Sequence, residues 1–130
     1  MWITRRHGLV LCLLLAGCGG AVKVELPAEL PGGWKLAGTA EETDVPELVR
    51  QMGLRQALRA RYQGNGELTA RVFTMKAQAS AFELVQKWRA APGMIFFQAG
   101  DHFVVLEQPG AAPEALSQVA KALDQRLAGR

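Results

Sequence analysis

Two pairs of strand-like runs, the first alternating apolar and polar residues and the second more apolar, each pair broken by a glycine turn, constrain this chain more than any other feature. Leu58 to Tyr62 and Leu68 to Met75 flank Gly64-Asn65-Gly66, and Met94 to Ala99 and His102 to Glu107 flank Gly100-Asp101. A period of two places successive side chains on opposite faces of a strand, and glycine or asparagine supplies the turn, so each pair reads as an antiparallel hairpin. In the first hairpin, a two-residue Asn65-Gly66 loop would set Ala60 opposite Arg71 and mix charge into both faces. A three-residue Gly64-Asn65-Gly66 loop sets Tyr62 opposite Leu68, Ala60 opposite Ala70 and Leu58 opposite Val72, which is one clean apolar face. In the second, a two-residue Gly100-Asp101 loop pairs Ala99 with His102, Phe97 with Val104 and Ile95 with Leu106.

Helical segments separate the hairpins. Asp44 is a candidate cap for a short helix with Pro46 and Glu47 in its first turn, ended by Gly53. Ser80-Ala81-Phe82-Glu83 has the spacing of a capping box, followed by an apolar stripe of Ala81, Leu84, Val85 and Trp88 that stops before Pro92-Gly93. Pro113 opens a last helix with Leu116, Val119, Ala120, Leu123 and Leu127 on one side. With Trp34-Lys35-Leu36 as a further strand, the pattern predicts an α+β domain: an antiparallel sheet of about five strands with helices packed on one face. Glu47-Leu48-Val49 recurs as Glu83-Leu84-Val85, and Gly64 as Gly100, each thirty-six residues later. Leu58, Leu68 and Ala70 fall on Met94, Val104 and Leu106 at the same offset. The spacing suggests two helix–strand–strand units closed by a C-terminal helix, although two short amphipathic units would resemble each other without any duplication.

The N-terminus carries a different kind of information. Arg5 and Arg6 precede the apolar run Leu9-Val10-Leu11-Cys12-Leu13-Leu14-Leu15-Ala16, the layout of a secretory signal and too short for a membrane span. The run ends in Leu15-Ala16-Gly17-Cys18, which resembles the bacterial lipoprotein box. That resemblance implies cleavage before Cys18 and acylation of its sulfur and new amino group, so that the lipid bilayer becomes the first partner. The expected organisation is a lipoprotein signal peptide over 1–17, an acylated N-terminus and tether over 18–33, and the α+β domain over 34–130. Thr4-Arg5-Arg6 also invites a twin-arginine reading, but Gly8 stands where that motif has an apolar residue, and ordinary secretion is favoured. Gly19 after the cysteine resembles the pattern for outer-membrane release in a host with two membranes, leaving the domain facing the periplasm. About 15 extended residues of tether would reach roughly 50 Å.

Removing Arg5 and Arg6 leaves 13 of the 15 Lys and Arg against 12 acids, a balance that gives no reason to expect nucleic acid as a partner. Cys12 leaves with the signal and Cys18 is acylated, so no disulfide is expected. Catalytic and metal signals are poor. His102 is the mature chain's one histidine, zinc would lack further ligands, and Ser80 is better explained as a cap, so neither catalytic residues, metal nor cofactor is assigned. The hairpin register does single out a surface. It places Arg59, Arg61 and Arg71 together on the face opposite Tyr62, with Glu67, Thr69 and Phe73 beside them. Arg59 directly opposite Arg71 costs stability, so the cluster is a candidate docking site for an anionic partner: an envelope protein, an anionic glycan or a lipid headgroup. A solvated sheet face with carboxylates nearby is the alternative. The same face of the second hairpin carries Phe96, Phe103 and Val105. It is too apolar to be simply wet, and is covered by the tether or the Trp34 segment or else open as a docking surface. A rival reading places ligand binding or hydrolysis in a groove under the last helix near His102 and Asp101.

One further resemblance covers most of the mature chain. Leu26-Pro27-Ala28-Glu29-Leu30-Pro31-Gly32-Gly33-Trp34-Lys35, then Phe73-Thr74-Met75-Lys76 leading into Ser80-Ala81-Phe82, then Ala99-Gly100-Asp101-His102-Phe103-Val104-Val105 resemble a family of uncharacterised bacterial secreted proteins. The family has no assigned function, so the resemblance implies the fold and no activity. Longer relatives have an Asn-Gly-Ala type helix start where this chain reads Arg50-Gln51-Met52-Gly53-Leu54-Arg55. The resulting expectation is a membrane-anchored envelope lipoprotein acting as a binding or accessory module through Arg59, Arg61, Arg71, Phe73, Phe96 and Phe103.

Overall fold

The structure is a computed structural model that describes residues 24–129. The expected signal peptide over 1–17 and the expected lipidation site Cys18 lie outside the described residues. Six strands form one antiparallel sheet: β1 (Glu29–Leu30), β2 (Trp34–Glu41), β3 (Leu54–Gly64), β4 (Gly66–Met75), β5 (Met94–Ala99) and β6 (His102–Glu107), in the order β1-β2-β3-β4-β6-β5. Among the described residues three helices accompany the sheet: α1 (Glu47–Gln51), α2 (Gln78–Lys87) and α3 (Pro113–Gly129). The fold is α+β, as the sequence predicts, with one more strand than expected.

Both hairpin registers follow the sequence pattern. Leu58 pairs with Val72, Ala60 with Ala70 and Tyr62 with Leu68; Ala99 pairs with His102, Phe97 with Val104 and Ile95 with Leu106. The alternation divides the sheet into two apolar faces. On one, Tyr62, Leu68, Val72, Val104 and Leu106 pack beneath Leu116, Val119 and Leu123 of α3. On the other, Phe73, Met75, Phe103 and Val105 pack beneath Val49 of α1 and Ala81 and Leu84 of α2. The helices therefore divide between the faces rather than sharing one, because the second hairpin is apolar on both sides and each side needs a cover.

Where a tether through Gly33 is expected, the chain has already joined the fold. Leu30 is buried, Val24 and Leu26 pack against the α3-side core, and Leu36 donates its backbone N–H to Ala28 O at 2.8 Å. Tyr62, fully buried at the residue level, donates its hydroxyl to Pro27 O at 2.8 Å. Burial pushes the Tyr62 phenol up to about 12, with the nearby charge of Arg126 pulling the other way.

The helix starts differ from the expected caps. Pro46 occupies the N-cap of α1, two residues after Asp44, and its fixed φ suits that position without a side-chain bond. Ser80 lies inside α2, not at its cap. The helix-favouring Gln78-Ala79-Ser80-Ala81 run carries the helix back to Ala77, whose carbonyl accepts from Ser80 and Ala81 N–H. The helix also stops earlier than Pro92. Trp88 turns to an extended ψ of 145°, which brings its ring to 5.0 Å from that of Phe103. The apolar face of the second hairpin is thus covered by α2 and Trp88; Trp34 belongs to the opposite core.

Candidate functional site

Strand pairing brings the three arginines together as the register predicts. Arg59 lies directly opposite Arg71, and Arg61 pairs with Thr69 one row above. The sequence did not identify the group that resolves their repulsion. β2 runs antiparallel to β3 and ends at Glu41, and the next residue, Glu42, donates its backbone N–H to Ala57 O at 3.0 Å. That bond turns the Glu42 side chain over the arginine row. Its Oε1 accepts from Arg59 Nε at 2.6 Å, while its Oε2 accepts the Asp44 backbone N–H at 3.0 Å and lies 3.9 Å from Arg71 Nε. A buried carboxylate between two guanidinium groups attracts each, offsets their mutual repulsion and converts an unfavourable pair into a bridge. Burial alone would raise the Glu42 carboxyl. The hydrogen bond and charge of Arg59, the Asp44 N–H and the charge of Arg71 outweigh that and hold it below the usual carboxylate range. Arg59 is correspondingly raised, chiefly by its hydrogen bond to Glu42.

The cluster is asymmetric in exposure. The side chains of Arg59 and Arg61 are 42% and 47% exposed, whereas that of Arg71 is 10% exposed. Arg71 Nη2 donates to Asp44 O at 2.9 Å, and its guanidinium sits 5.3 Å from the centre of the Phe73 ring. Among the described residues its Nε has no hydrogen-bond partner. Arg61 reaches Glu67 on the next strand at 3.3 Å across open surface. With three carboxylates nearby (Glu42 and Glu67 in contact, Glu107 paired in register with Thr69), the face is a balanced charge network rather than a basic patch.

Of the expected surface residues, Arg59, Arg61 and half-buried Phe96 could touch a partner. Phe73 and Phe103 are fully buried beneath α2, their ring centres 6.3 Å apart, and Arg71 is nearly so. They are corrected from docking groups to buried positions: α2 covers Phe73 and Phe103, and the Glu42–Asp44 segment packs over Arg71. Glu42 is the residue that sequence reasoning missed. Its acidic neighbours Glu41, Asp44 and Glu47 suggest a helix start, and only the β2–β3 register reveals its position over the arginines. A shallow cleft lies beside this network, lined by Glu41, Arg55, Gln56 and Ala57 among others.

The rival site near His102 has a defined geometry. His102 pairs with Thr74 across β6 and β4 on the α3 side of the sheet, and its Nδ1 lies 2.9 Å from Thr74 Oγ1. Its Nε2 is 3.7 Å from Asp101 Oδ1. Burial lowers the His102 pKa, with the Asp101 carboxylate opposing. The order hydroxyl–imidazole–carboxylate is that of a nucleophilic relay, but Thr74 is 1% exposed, so its hydroxyl cannot meet a substrate. The arrangement ties β4 to β6 at the turn end of the second hairpin. Among the described residues no three metal-ligating side chains converge, and no helix is long and apolar enough to cross a membrane. Comparison of the chain with protein-family models, curated proteins and solved structures found no match in any of the three.

Proposed function

We propose that the chain is an envelope lipoprotein, anchored by acyl groups on Cys18 and presenting a binding or accessory module that carries out no chemistry. The observation that carries this reading is Leu15-Ala16-Gly17-Cys18 directly behind a basic start and a short apolar run. The fold adds a geometric consequence. Residues 24–26 already pack against the core, so only 19–23 separate the anchor from the domain, about 15–20 Å at full extension. The module therefore works at the bilayer surface facing the periplasm, on the outer membrane where the host has two, and meets partners that approach that surface. The half-exposed Arg59 and Arg61, held by Glu42 and Glu67, form its candidate contact for a carboxylate- or phosphate-bearing partner.

Labelling with a palmitate analogue and detergent phase partition test the anchor. The wild-type chain should take the label and enter the detergent phase, and Cys18→Ser should do neither; equal behaviour of the two refutes the lipoprotein reading. The contact is tested by recovering partners from membranes with the wild type and with Arg61→Glu. Arg71→Glu is unsuitable, because it would set a second buried carboxylate beside Glu42. Identical partner lists refute the role of this face.

A further inference from the structure

The two edges of the sheet are built differently. At one, β1 is only two residues long, β2 is bulged between Leu36 and Gly38, and the strand ends on Glu41. Short strands, bulges and charges are the devices that stop an edge from recruiting another chain. At the other edge, β5 reads Met-Ile-Phe-Phe-Gln-Ala, with no charge, proline or bulge, and every residue but Ala99 is partly exposed.

The backbone of β5 has polar groups to offer. The two-residue turn and the Gln108 N–H to Gly93 O bond of 2.8 Å direct the odd-numbered residues of β5 toward β6. The N–H and C=O of Phe96 and Gln98, and the C=O of Met94, therefore point away from the sheet, and they bond to nothing among the described residues. The Met94 N–H is already used by Ala91 O. Such a row accepts an extended strand and little else. Beside it, Gln98 donates its side-chain amide to Gln78 O at the start of α2, and one turn on from Gln78 stands Phe82, which is 53% exposed. It is the exposed large apolar side chain of the described residues.

We propose that β5 is a self-association edge, pairing antiparallel with β5 of a second copy of this chain to continue the sheet across a two-fold axis. The occupant follows from the strand itself. A two-fold at Phe96 sets Phe96 opposite Phe96, Ile95 opposite Phe97 and Met94 opposite Gln98. No charge meets its like, and both apolar faces continue from one copy to the next. The outward groups of Phe96 bond reciprocally, and the N–H of Gln98 reaches the C=O of Met94 in both directions. Phe82 of each copy flanks the seam.

The test is made on the full-length protein. Phe96→Cys places two thiols across a hydrogen-bonded pair whose Cα atoms lie about 5.5 Å apart, within the span of a disulfide. Mild oxidation should give a covalent dimer with Phe96→Cys that is absent from the wild type and from Lys121→Cys on the exposed side of α3. Gln98→Pro removes an outward N–H without touching the internal ladder. It should abolish that cross-link and halve the mass by sedimentation, with the circular dichroism spectrum kept. Sedimentation of the wild type decides the matter if Phe96→Cys does not fold: a dimer dissolved by Gln98→Pro supports the proposal. A monomeric wild type, cross-linking no stronger than at Lys121→Cys, or conjugation of Phe96→Cys only to another protein overturns it.

Discussion

Replacing Glu42 should expose how much of this fold rests on one carboxylate. Its oxygens accept from Arg59 Nε and the Asp44 N–H and face Arg71 Nε at 3.9 Å. Removing one partner of a buried ion pair costs roughly 3–5 kcal/mol, because the other charge stays buried. Two features here reduce that figure: Arg59 is 42% exposed and can rehydrate, and Arg71 keeps the Asp44 carbonyl and the Phe73 face. Glu42→Ala should therefore cost about 2–3 kcal/mol, lowering the midpoint of thermal unfolding by roughly 10–15 °C in a domain of this size. Glu42→Gln, which keeps one acceptor for Arg59, should cost about half as much. Urea unfolding followed by the fluorescence of buried Trp34 and half-buried Trp88 reads both. The pH dependence separates charge from shape. The folded-state pKa of Glu42 lies below its unfolded value, so its contribution is present above the unfolded carboxylate pKa of about 4.3 and is lost as pH falls through the folded value. The gap between wild type and Glu42→Gln should thus be full at pH 6–7 and close in more acid solution. A gap that does not change with pH, or no gap at all, refutes the bridging role.

Three other expectations follow from particular contacts. Tyr62→Phe removes the bond to Pro27 O; it should cost about 1 kcal/mol and speed amide exchange over residues 24–30, and unchanged exchange there would detach that segment from the core. Tyr62 is also the only tyrosine in the chain, so the ultraviolet titration of the folded protein should have its midpoint near 12; a midpoint at 10 would contradict its burial. Gly93→Ala places a Cβ 2.6 Å from Gln108 O at a φ of +73° and should destabilise by roughly 1–3 kcal/mol in the same urea assay, whereas a neutral result would show that the turn relaxes freely. His102 has a folded pKa below its unfolded value near 6.5, so its contribution is present above that value and is lost as pH falls through the folded pKa. His102→Gln should flatten the stability profile across that window, and an unchanged slope would place the titration elsewhere.

The sheet was legible because two independent signals agreed on it. Turn chemistry limited the first hairpin to two loop lengths, and only one of them kept Tyr62, Ala60 and Leu58 on an apolar face, so a one-residue error would have shown. The helix boundaries had no such second signal. Ser80 and Glu83 have the spacing of a cap, yet Gln78-Ala79 also favours helix, and nothing local decides between them. The arginine cluster was legible as a cluster because it follows from the register of one hairpin. Its partner was not, because Glu42 reaches it through the pairing of β2 with β3, and the only β2 signal was the three residues Trp34 to Leu36. Phe73 and Phe103 were misplaced for a related reason. Period two fixes which face a residue shares, but the cover on that face comes from α2 and from the departure of Trp88 from helical geometry.

The thirty-six-residue spacing can be weighed against the same contacts. Leu68 and Val104, and likewise Ala70 and Leu106, occupy the same face, and Ala70 pairs directly with Leu106, as residues astride a two-fold between β4 and β6 must. Leu58 and Met94 do not match, since Leu58 packs on the α3 side and Met94 on the other. The second turn is a residue shorter, which shifts the offset to thirty-five along the first strands. In the helices, Val49 is the buried residue of the first Glu-Leu-Val and Leu84 that of the second. What repeats is thus the arrangement, a helix and a hairpin joined through their second strands, more than the residues. That arrangement has two equivalent outer strands, β3 and β5. The chain pairs β3 with its own β2, whereas among the described residues no strand pairs with the outer side of β5. A second copy supplies for β5 what the N-terminal strands supply for β3.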